Sequence, residues 1–199
     1  MLVSTLVSAK IANNLNKMEL IEEKEIEIYA YCLDYLLENI IFSSTLILIG
    51  IFFHAFPISI LFLFIFILRS FTGGYHAPTQ KLCTLLSYSC FMLTIFIVKL
   101  LEHIHLISLY SLIVLYILSS ICIFLFAPVE HKNKQFSESM RQSLRQKSRL
   151  YLSIITIANC IFFCFNLKLY YTTTTICVMI IAINLLVAYK TYHKEEKQP

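Results

Sequence analysis

The longest uncharged stretch of the sequence covers residues 39–68, which include no Asp, Glu, Lys or Arg. As one straight helix these 30 residues would be about 45 Å long, against a bilayer core of about 30 Å. Pro57 interrupts the stretch three residues after His54, and proline is disfavoured inside a helix. We therefore predict two short membrane spans, at residues 37–55 and 57–70, in place of one long kinked helix.

The composition supports a membrane location for the whole chain. Hydrophobic side chains make up 58% and charged ones 14% of its 199 residues, and the mean hydropathy is +0.75, whereas soluble domains carry roughly a quarter charged residues. Four more apolar runs predict spans at residues 81–99, 106–127, 149–168 and 172–190. We expect an all-α polytopic membrane protein with about six transmembrane helices, forming a single membrane domain over residues 1–199.

The N-terminal segment, residues 1–27, differs from the spans. Val3, Val7, Ile11, Leu15 and Met18 recur every three or four positions, which predicts an amphipathic helix lying at the membrane interface. The chain begins without basic residues, and asparagines follow where a signal peptide has its apolar core, so we expect no cleaved signal.

The basic residues predict the orientation. If both termini are cytoplasmic, 14 of the 16 Lys and Arg residues lie on the cytoplasmic side, and only Lys99 and Lys168 lie outside. This is a strong positive-inside bias, so the net charge of +4 indicates topology and not nucleic-acid binding. The same orientation places residues 69–83 and a basic loop, residues 128–148, in the cytoplasm.

The seven cysteines indicate neither a disulfide framework nor a metal site. Their number is odd, and most lie in apolar runs, where a thiol behaves as a small hydrophobic group. Cys160 and Cys164 share a helical face, but no histidine or carboxylate is spaced to complete a metal site with them. We expect no metal and no cofactor.

The segment with the clearest chemical character joins the second and third predicted spans. Gly73 and Gly74 are adjacent there, and Pro78 follows, a pattern typical of a tight turn before a helix. His76 then lies in the turn and Cys83 at the start of the third span, where the helix dipole favours a thiolate. A Cys–His pair can catalyse nucleophilic acyl transfer. The spacing alone does not establish an enzyme, because a histidine that caps the turn and a cysteine that fills the core would give the same pattern.

Two segments resemble a known family. The pattern Arg69, Gly74, His76 and Cys83, or Arg-x4-Gly-x-His-x6-Cys, between short apolar spans resembles the accessory gene regulator protein B (AgrB) family of quorum-sensing systems. Residues 126–134, Phe-Ala-Pro-Val-Glu-His-Lys-Asn-Lys, are similar to the Ala-Pro segment that precedes the basic loop of this family. The similar organisation extends over nearly the whole chain.

The resemblance implies a cysteine endopeptidase of the bacterial plasma membrane that acts on an AgrD-like pro-peptide. Cys83 would be the nucleophile and His76 the general base and then acid. A cysteine or serine of the peptide would resolve the acyl-enzyme and give a cyclic thiolactone or lactone autoinducing peptide. Besides the peptide, the expected partners are the lipid bilayer and, as an open alternative, a second copy of the chain, but no nucleic acid.

Several roles stay open from the sequence. Arg69 either binds a peptide carboxylate or a developing oxyanion, with Gly74 as support, or anchors the second span by snorkelling. The carboxylates that could orient His76 are Asp34, Glu38 and Glu130.

The basic loop has its own alternatives. Arg141, Arg145 and Arg149 are spaced by four and predict one basic helical face. This face either contacts anionic lipid headgroups and sets the topology or docks an acidic tail of the substrate.

A different class of function is a small non-enzymatic transporter or membrane scaffold, in which Cys83 and His76 are structural. A solute pathway normally requires several ionisable or polar groups at mid-membrane depth. The predicted spans supply only Ser, Thr, Asn and thiol groups there, which favours the enzyme.

Overall fold

The computed structural model of the protein describes residues 2–75, 79–104, 109–130 and 136–195. The described residues are organised in seven α-helices and a short 3-10 helix, Glu23–Glu25. The α-helices are α1 Leu2–Lys17, α2 Ile26–Phe52, α3 Phe56–Thr72, α4 Gln80–Ile104, α5 Leu109–Phe126, α6 Glu138–Cys164 and α7 Lys168–Glu195. Five of them, α2 and α4 to α7, are long and apolar enough to cross a membrane, and α3 is a shorter apolar helix of 17 residues. The predicted all-α, multi-span membrane fold is confirmed.

The uncharged stretch, residues 39–68, is divided between α2 and α3. The chain leaves α2 at Phe52, and His54 adopts a left-handed backbone with a φ of 50°. Pro57 follows in the first turn of α3, where a missing N–H leaves no helical hydrogen bond unmade. The division therefore results from a left-handed residue next to a proline.

The chain forms two compact units, residues 1–52 and 53–199. In the first unit α1 packs along α2 and buries Ser4, Ser8 and Ala12, while Val7 and Ile11 are exposed. The small residues allow close helix packing, so the predicted apolar stripe of α1 is not the face that α2 covers. Its location at the membrane interface, and the single membrane domain, stay predictions.

In the second unit α7 is the central helix and contacts α3, α4, α5 and α6. Of its most apolar segment 67% is buried, against 22–28% for α4, α5 and α6. Four consecutive threonines of α7, residues 172–175, are buried with it, and the Oγ1 atoms of Thr173 and Thr174 donate to the carbonyl oxygens of Leu169 and Tyr170 one turn earlier. The helix therefore buries polar as well as apolar side chains.

The helix α6 begins well before the span predicted at residues 149–168. Ser137 caps it, since its Oγ accepts a hydrogen bond from the N–H of Met140 at 3.3 Å. Residues 138–148, which the sequence places in the basic loop, therefore form the first turns of this helix. Arg141, Arg145 and Arg149 all lie on it.

Candidate active site

The candidate site lies where α3 ends and α4 begins. Cys83 is in the first turn of α4, and its N–H donates to the carbonyl of Thr79 at 3.1 Å. The Oγ1 of Thr79 also accepts from the N–H of Leu82 at 3.4 Å, so Thr79 caps the helix. His76 lies outside the described residues, and its predicted approach to Cys83 stays a prediction.

Arg69, in the last turn of α3, connects this helix to the turn and to α4. One guanidinium nitrogen, Nη1, donates to the Oγ of Ser87 at 3.0 Å. The other, Nη2, donates to the carbonyl oxygen of Tyr75 at 3.3 Å and lies 3.7 Å from the Sγ of Cys83. The guanidinium also stacks 5.2 Å from the ring centre of Phe66. A cation is thus placed beside the half-buried thiol.

A small cavity of about 20 Å³ lies beside the Arg69 guanidinium, with room for about one water molecule. Arg69 and Asn184 are its strongly polar lining residues. The others are Phe62, Phe66, Cys90, Cys177, Ile180 and Ile181. The interior that this cavity opens beside Arg69 is therefore mainly apolar.

The two adjacent glycines allow the turn to pack closely against two other segments. Gly73 has a φ of 71°, and a Cβ there would lie 2.3 Å from the carbonyl oxygen of Val129. Gly74 has a φ of 120°, and its Cβ would lie 2.4 Å from the Oδ1 of Asn184. Both positions require glycine for backbone conformation and for space. The predicted role of Gly74 in supporting the substrate or the oxyanion stays a prediction.

The Ala-Pro segment, residues 127–129, lies beside the glycine turn. The N–H of Val129 donates to the carbonyl oxygen of Thr72 at 3.0 Å, and Val129 and Gly73 pair as in a parallel sheet. The two segments that carry the family resemblance are thus in direct contact, although more than 50 positions separate Gly73 and Val129 in the sequence.

The candidate orienting carboxylates are in different places. Glu130 pairs with the Nε of Arg141 at 3.7 Å, and its side chain is largely buried at 18% exposure. Asp34 and Glu38 lie on α2, in the first unit. Glu130 is therefore tied to α6 and, through the neighbouring Val129, to the glycine turn.

Sequence reasoning missed Asn184 and Ser87 as members of the site. The Oδ1 of Asn184, on α7, accepts a hydrogen bond from the N–H of Tyr75 at 3.1 Å. Its only sequence signal is that it is the single amide between Ile176 and Ala188 in a long apolar run. Ser87, the partner of Arg69, is buried one turn after Cys83 and gave no signal at all, because serine is common in spans.

The three arginines of α6 have different surroundings. Arg141 pairs with Glu130, and Arg145 is exposed. The guanidinium carbon of Arg149 lies 4.2 Å from the ring centre of Phe124 on α5, a cation–π contact. The three arginines thus lie along one helix, but only Arg141 and Arg145 are exposed, and Arg141 is paired with Glu130.

The described residues contain no group of three or more His, Cys, Asp or Glu side chains that could hold a metal ion. Cys160 and Cys164 are free thiols on α6 and are exposed.

Five helices long and apolar enough to cross a membrane, with a thiol next to a guanidinium where α3 and α4 meet, define a multi-pass membrane protein that brings these two groups together at the ends of its helices. The sequence model of a family described as Accessory gene regulator B (AgrB) matches residues 8–188, and the chain belongs to that family. The family predicted from Arg69, Gly74, His76 and Cys83 is confirmed.

Two relatives from Clostridium perfringens are named as AgrB-like. One, from strain SM101 (type A), is 29% identical over 159 residues, which are 78% of this chain and 72% of the relative. The other, from strain 13 (type A), is 26% identical over 159 residues, with the same coverage. No solved structure gives a match to this chain.

Membership of this family gives the protein a role in processing the peptide of an accessory gene regulator quorum-sensing system. It also implies a membrane environment and an AgrD-like pro-peptide as partner. The apolar helices agree with the first of these implications, because five of them can cross a bilayer.

Proposed function

We propose that the protein is a membrane cysteine endopeptidase that cleaves an AgrD-like pro-peptide and releases a cyclic autoinducing peptide. The observation that supports this most directly is the contact between Arg69 and Cys83, in which Nη2 lies 3.7 Å from Sγ. A thiol that only filled the core would need no cation, whereas a nucleophilic thiol becomes reactive as the thiolate.

In the proposed reaction the Cys83 thiolate attacks the carbonyl carbon of the scissile peptide bond. His76 takes the thiol proton and gives it to the departing amine, so that a C–S bond forms as the C–N bond breaks. Arg69 stabilises the negative charge that the sulfur carries before attack. The product is a thioester between Cys83 and the N-terminal part of the peptide, and the C-terminal part leaves.

A side chain of the bound peptide then resolves the thioester. If a cysteine of the peptide attacks, one thioester replaces another at little cost in free energy, and a thiolactone ring forms. A serine would give a lactone. Hydrolysis would lose the activated bond, so the site must exclude water. The half-buried Cys83, the buried Ser87 and the apolar cavity beside Arg69 suit this requirement.

We further propose that the protein lies in the bacterial plasma membrane with both termini and the Cys83 site on the cytoplasmic side. The support is the charge distribution of the sequence together with the position of Lys99. The Nζ of Lys99 donates to the carbonyl oxygen of Phe53, and this contact lies at the end of the α3–α4 pair opposite to Arg69. The lysine predicted outside is thus remote from the site.

The test is cleavage of the cognate pro-peptide by variants in membranes. Cys83→Ala should abolish cleavage while leaving membrane insertion intact, because a small uncharged side chain keeps the helix apolar. Cys90→Ala is the matched control on the same helix and should stay active, since Cys90 lies about 10 Å further along the axis. Normal processing by Cys83→Ala would refute the proposal and favour a non-enzymatic role.

The same assay tests His76. His76→Gln should also fail, because an amide can hydrogen-bond but cannot transfer a proton at neutral pH. Near-normal turnover by this variant would show that His76 is structural.

A further inference from the structure

The backbone of Tyr75 is held by side chains from two helices. Asn184 of α7 accepts a hydrogen bond from its N–H at 3.1 Å, and Arg69 of α3 donates to its carbonyl oxygen at 3.3 Å. Tyr75 lies outside the helices, so no regular helical ladder fixes these two groups. The two side chains therefore help to hold this part of the turn in place.

The nitrogen of Arg69 that contacts Tyr75 is the one that contacts the thiol. Nη2 lies 3.3 Å from the Tyr75 carbonyl oxygen and 3.7 Å from the Sγ of Cys83, while Nη1 is held by Ser87. A shift of the Tyr75 carbonyl would remove one of the acceptors that orient the guanidinium. The position of the cation beside the thiol thus depends on the Tyr75 backbone.

Close packing makes Asn184 hard to replace in this arrangement. Gly74 is buried, and a Cβ there would lie only 2.4 Å from the Asn184 Oδ1, so the turn rests directly on the amide. Apart from Arg69 and Asn184, the cavity beside them is lined by apolar side chains and two thiols. If the amide is removed, none of the other residues that line this cavity offers a strong acceptor to the Tyr75 N–H, and an unmade buried hydrogen bond is costly.

We propose that Asn184 is a positioning residue for the reaction of Cys83. By fixing the Tyr75 backbone, it holds the Arg69 guanidinium against the thiol and so keeps Cys83 reactive. The predicted effect of Asn184 on peptide cleavage rests on the proposed peptidase function. The reactivity of the thiol, however, can be measured without any peptide.

The first measurement is the alkylation of Cys83 by iodoacetamide at neutral pH, followed by peptide mass spectrometry on the full-length protein in detergent micelles. Asn184→Ala should slow alkylation of Cys83 about fivefold or more, because the thiolate loses its oriented cation. Asn184→Leu keeps the volume without the acceptor, and it replaces the alanine variant if that variant does not fold.

Cys177→Ala is the matched control. Cys177 lies on the same helix as Asn184 and lines the same cavity. The Tyr75 N–H, however, donates its hydrogen bond to Asn184 and not to Cys177. Its replacement should leave the alkylation rate of Cys83 within about twofold of the wild type, since packing loss alone does not move the cation. An equal slowing in Cys177→Ala and Asn184→Ala would overturn the inference, as would an unchanged rate in folded Asn184→Ala and Asn184→Leu.

The second measurement is pro-peptide cleavage by the same variants. Asn184→Ala should lower kcat about tenfold with KM changed by less than about twofold, because the chemistry and not peptide binding is impaired. A rise in KM alone would contradict a positioning role. The two proposals fail separately: processing by Cys83→Ala would refute the peptidase, whereas unaltered Cys83 alkylation in Asn184→Ala would refute only the role of Asn184.

Discussion

At the residue scale, the site depends on two polar atoms that approach the backbone of the glycine turn more closely than a residue with a Cβ would allow. The carbonyl oxygen of Val129 and the Oδ1 of Asn184 occupy the space where Gly73 and Gly74 would carry a Cβ. Each glycine thereby lets a polar atom approach the backbone of the turn. The turn is consequently joined to the segment after α5 on one side and to α7 on the other.

The two glycines should respond differently to alanine. In Gly73→Ala the new Cβ meets a backbone carbonyl that cannot rotate away, and the left-handed backbone adds strain of roughly 1–3 kcal/mol. In Gly74→Ala the strain is similar, but the colliding atom belongs to the Asn184 side chain, which can turn aside. We expect the larger fall in Tm for Gly73→Ala, measured by thermal unfolding in detergent.

Gly50, on α2 in the first unit, provides the control for these substitutions. It is helical, so Gly50→Ala should change Tm much less than either turn variant, because alanine favours helix. A larger loss of Tm in Gly74→Ala than in Gly73→Ala would contradict the assignment of the rigid contact to Val129.

At the scale of helices, the apolar runs predicted where the spans lie, because burial in lipid requires about 20 apolar residues in sequence. The start of α6 at Glu138 was not predicted, since its first turns are polar and carry no such signal. The capping by Ser137 is a local feature that hydropathy does not report. A prediction based on hydropathy therefore does not detect the polar turns by which a helix extends beyond its apolar segment.

In the candidate site, too, residues that share a short sequence motif could be predicted, whereas residues that meet only through helix packing could not. Arg69 and Cys83 were predicted, because a short motif carries both of them. Asn184 was not, since it lies 109 positions from its partner Tyr75. Its contribution depends on how α7 packs against the end of α3, and nothing in the local sequence of either segment determines that packing.

The basic face of α6 can be tested for its two alternative roles. Arg141 and Arg145 are exposed, Arg141 while paired with Glu130, whereas Arg149 packs on Phe124, so the reversal is confined to the first two. We expect Arg141→Glu with Arg145→Glu to lower the amount of inserted protein and to leave the KM for the pro-peptide unchanged. Each charge near the headgroups contributes about 1 kcal/mol to membrane association, so the double change is measurable.

Peptide variants decide between the alternatives. If the face docks an acidic tail of the substrate, the double reversal should raise KM, and lysines introduced into that tail should restore it. Such a rescue would contradict a role limited to lipid contact and topology. Arg149→Gln is the control for packing, because it removes the cation from Phe124 but leaves both exposed charges.

At the scale of the whole molecule, the two ends of the helices in the second unit differ in character. Arg69, Cys83, Val129 and Arg141 gather at one end, with the glycine turn between them. The other end carries Lys99, in the last turns of α4, and the junction of α6 and α7 at Asn166 to Lys168. The proposed orientation assigns the first end to the cytoplasm, which is where a newly made pro-peptide would arrive.

The orientation can be tested on the two ends of α7, Lys168–Glu195, because a single helix that crosses the bilayer must present them on opposite sides. Single cysteines introduced by Lys168→Cys and Lys194→Cys, in a variant without the seven native cysteines, would be exposed to a membrane-impermeant maleimide. We expect labelling at position 168 in intact cells, and at position 194 only after the cells are permeabilised. The positive-inside bias gives this direction, since 14 of 16 basic residues lie on the proposed cytoplasmic side. Labelling of position 194 from outside would overturn the ends-inside topology, and with it the cytoplasmic location of Cys83.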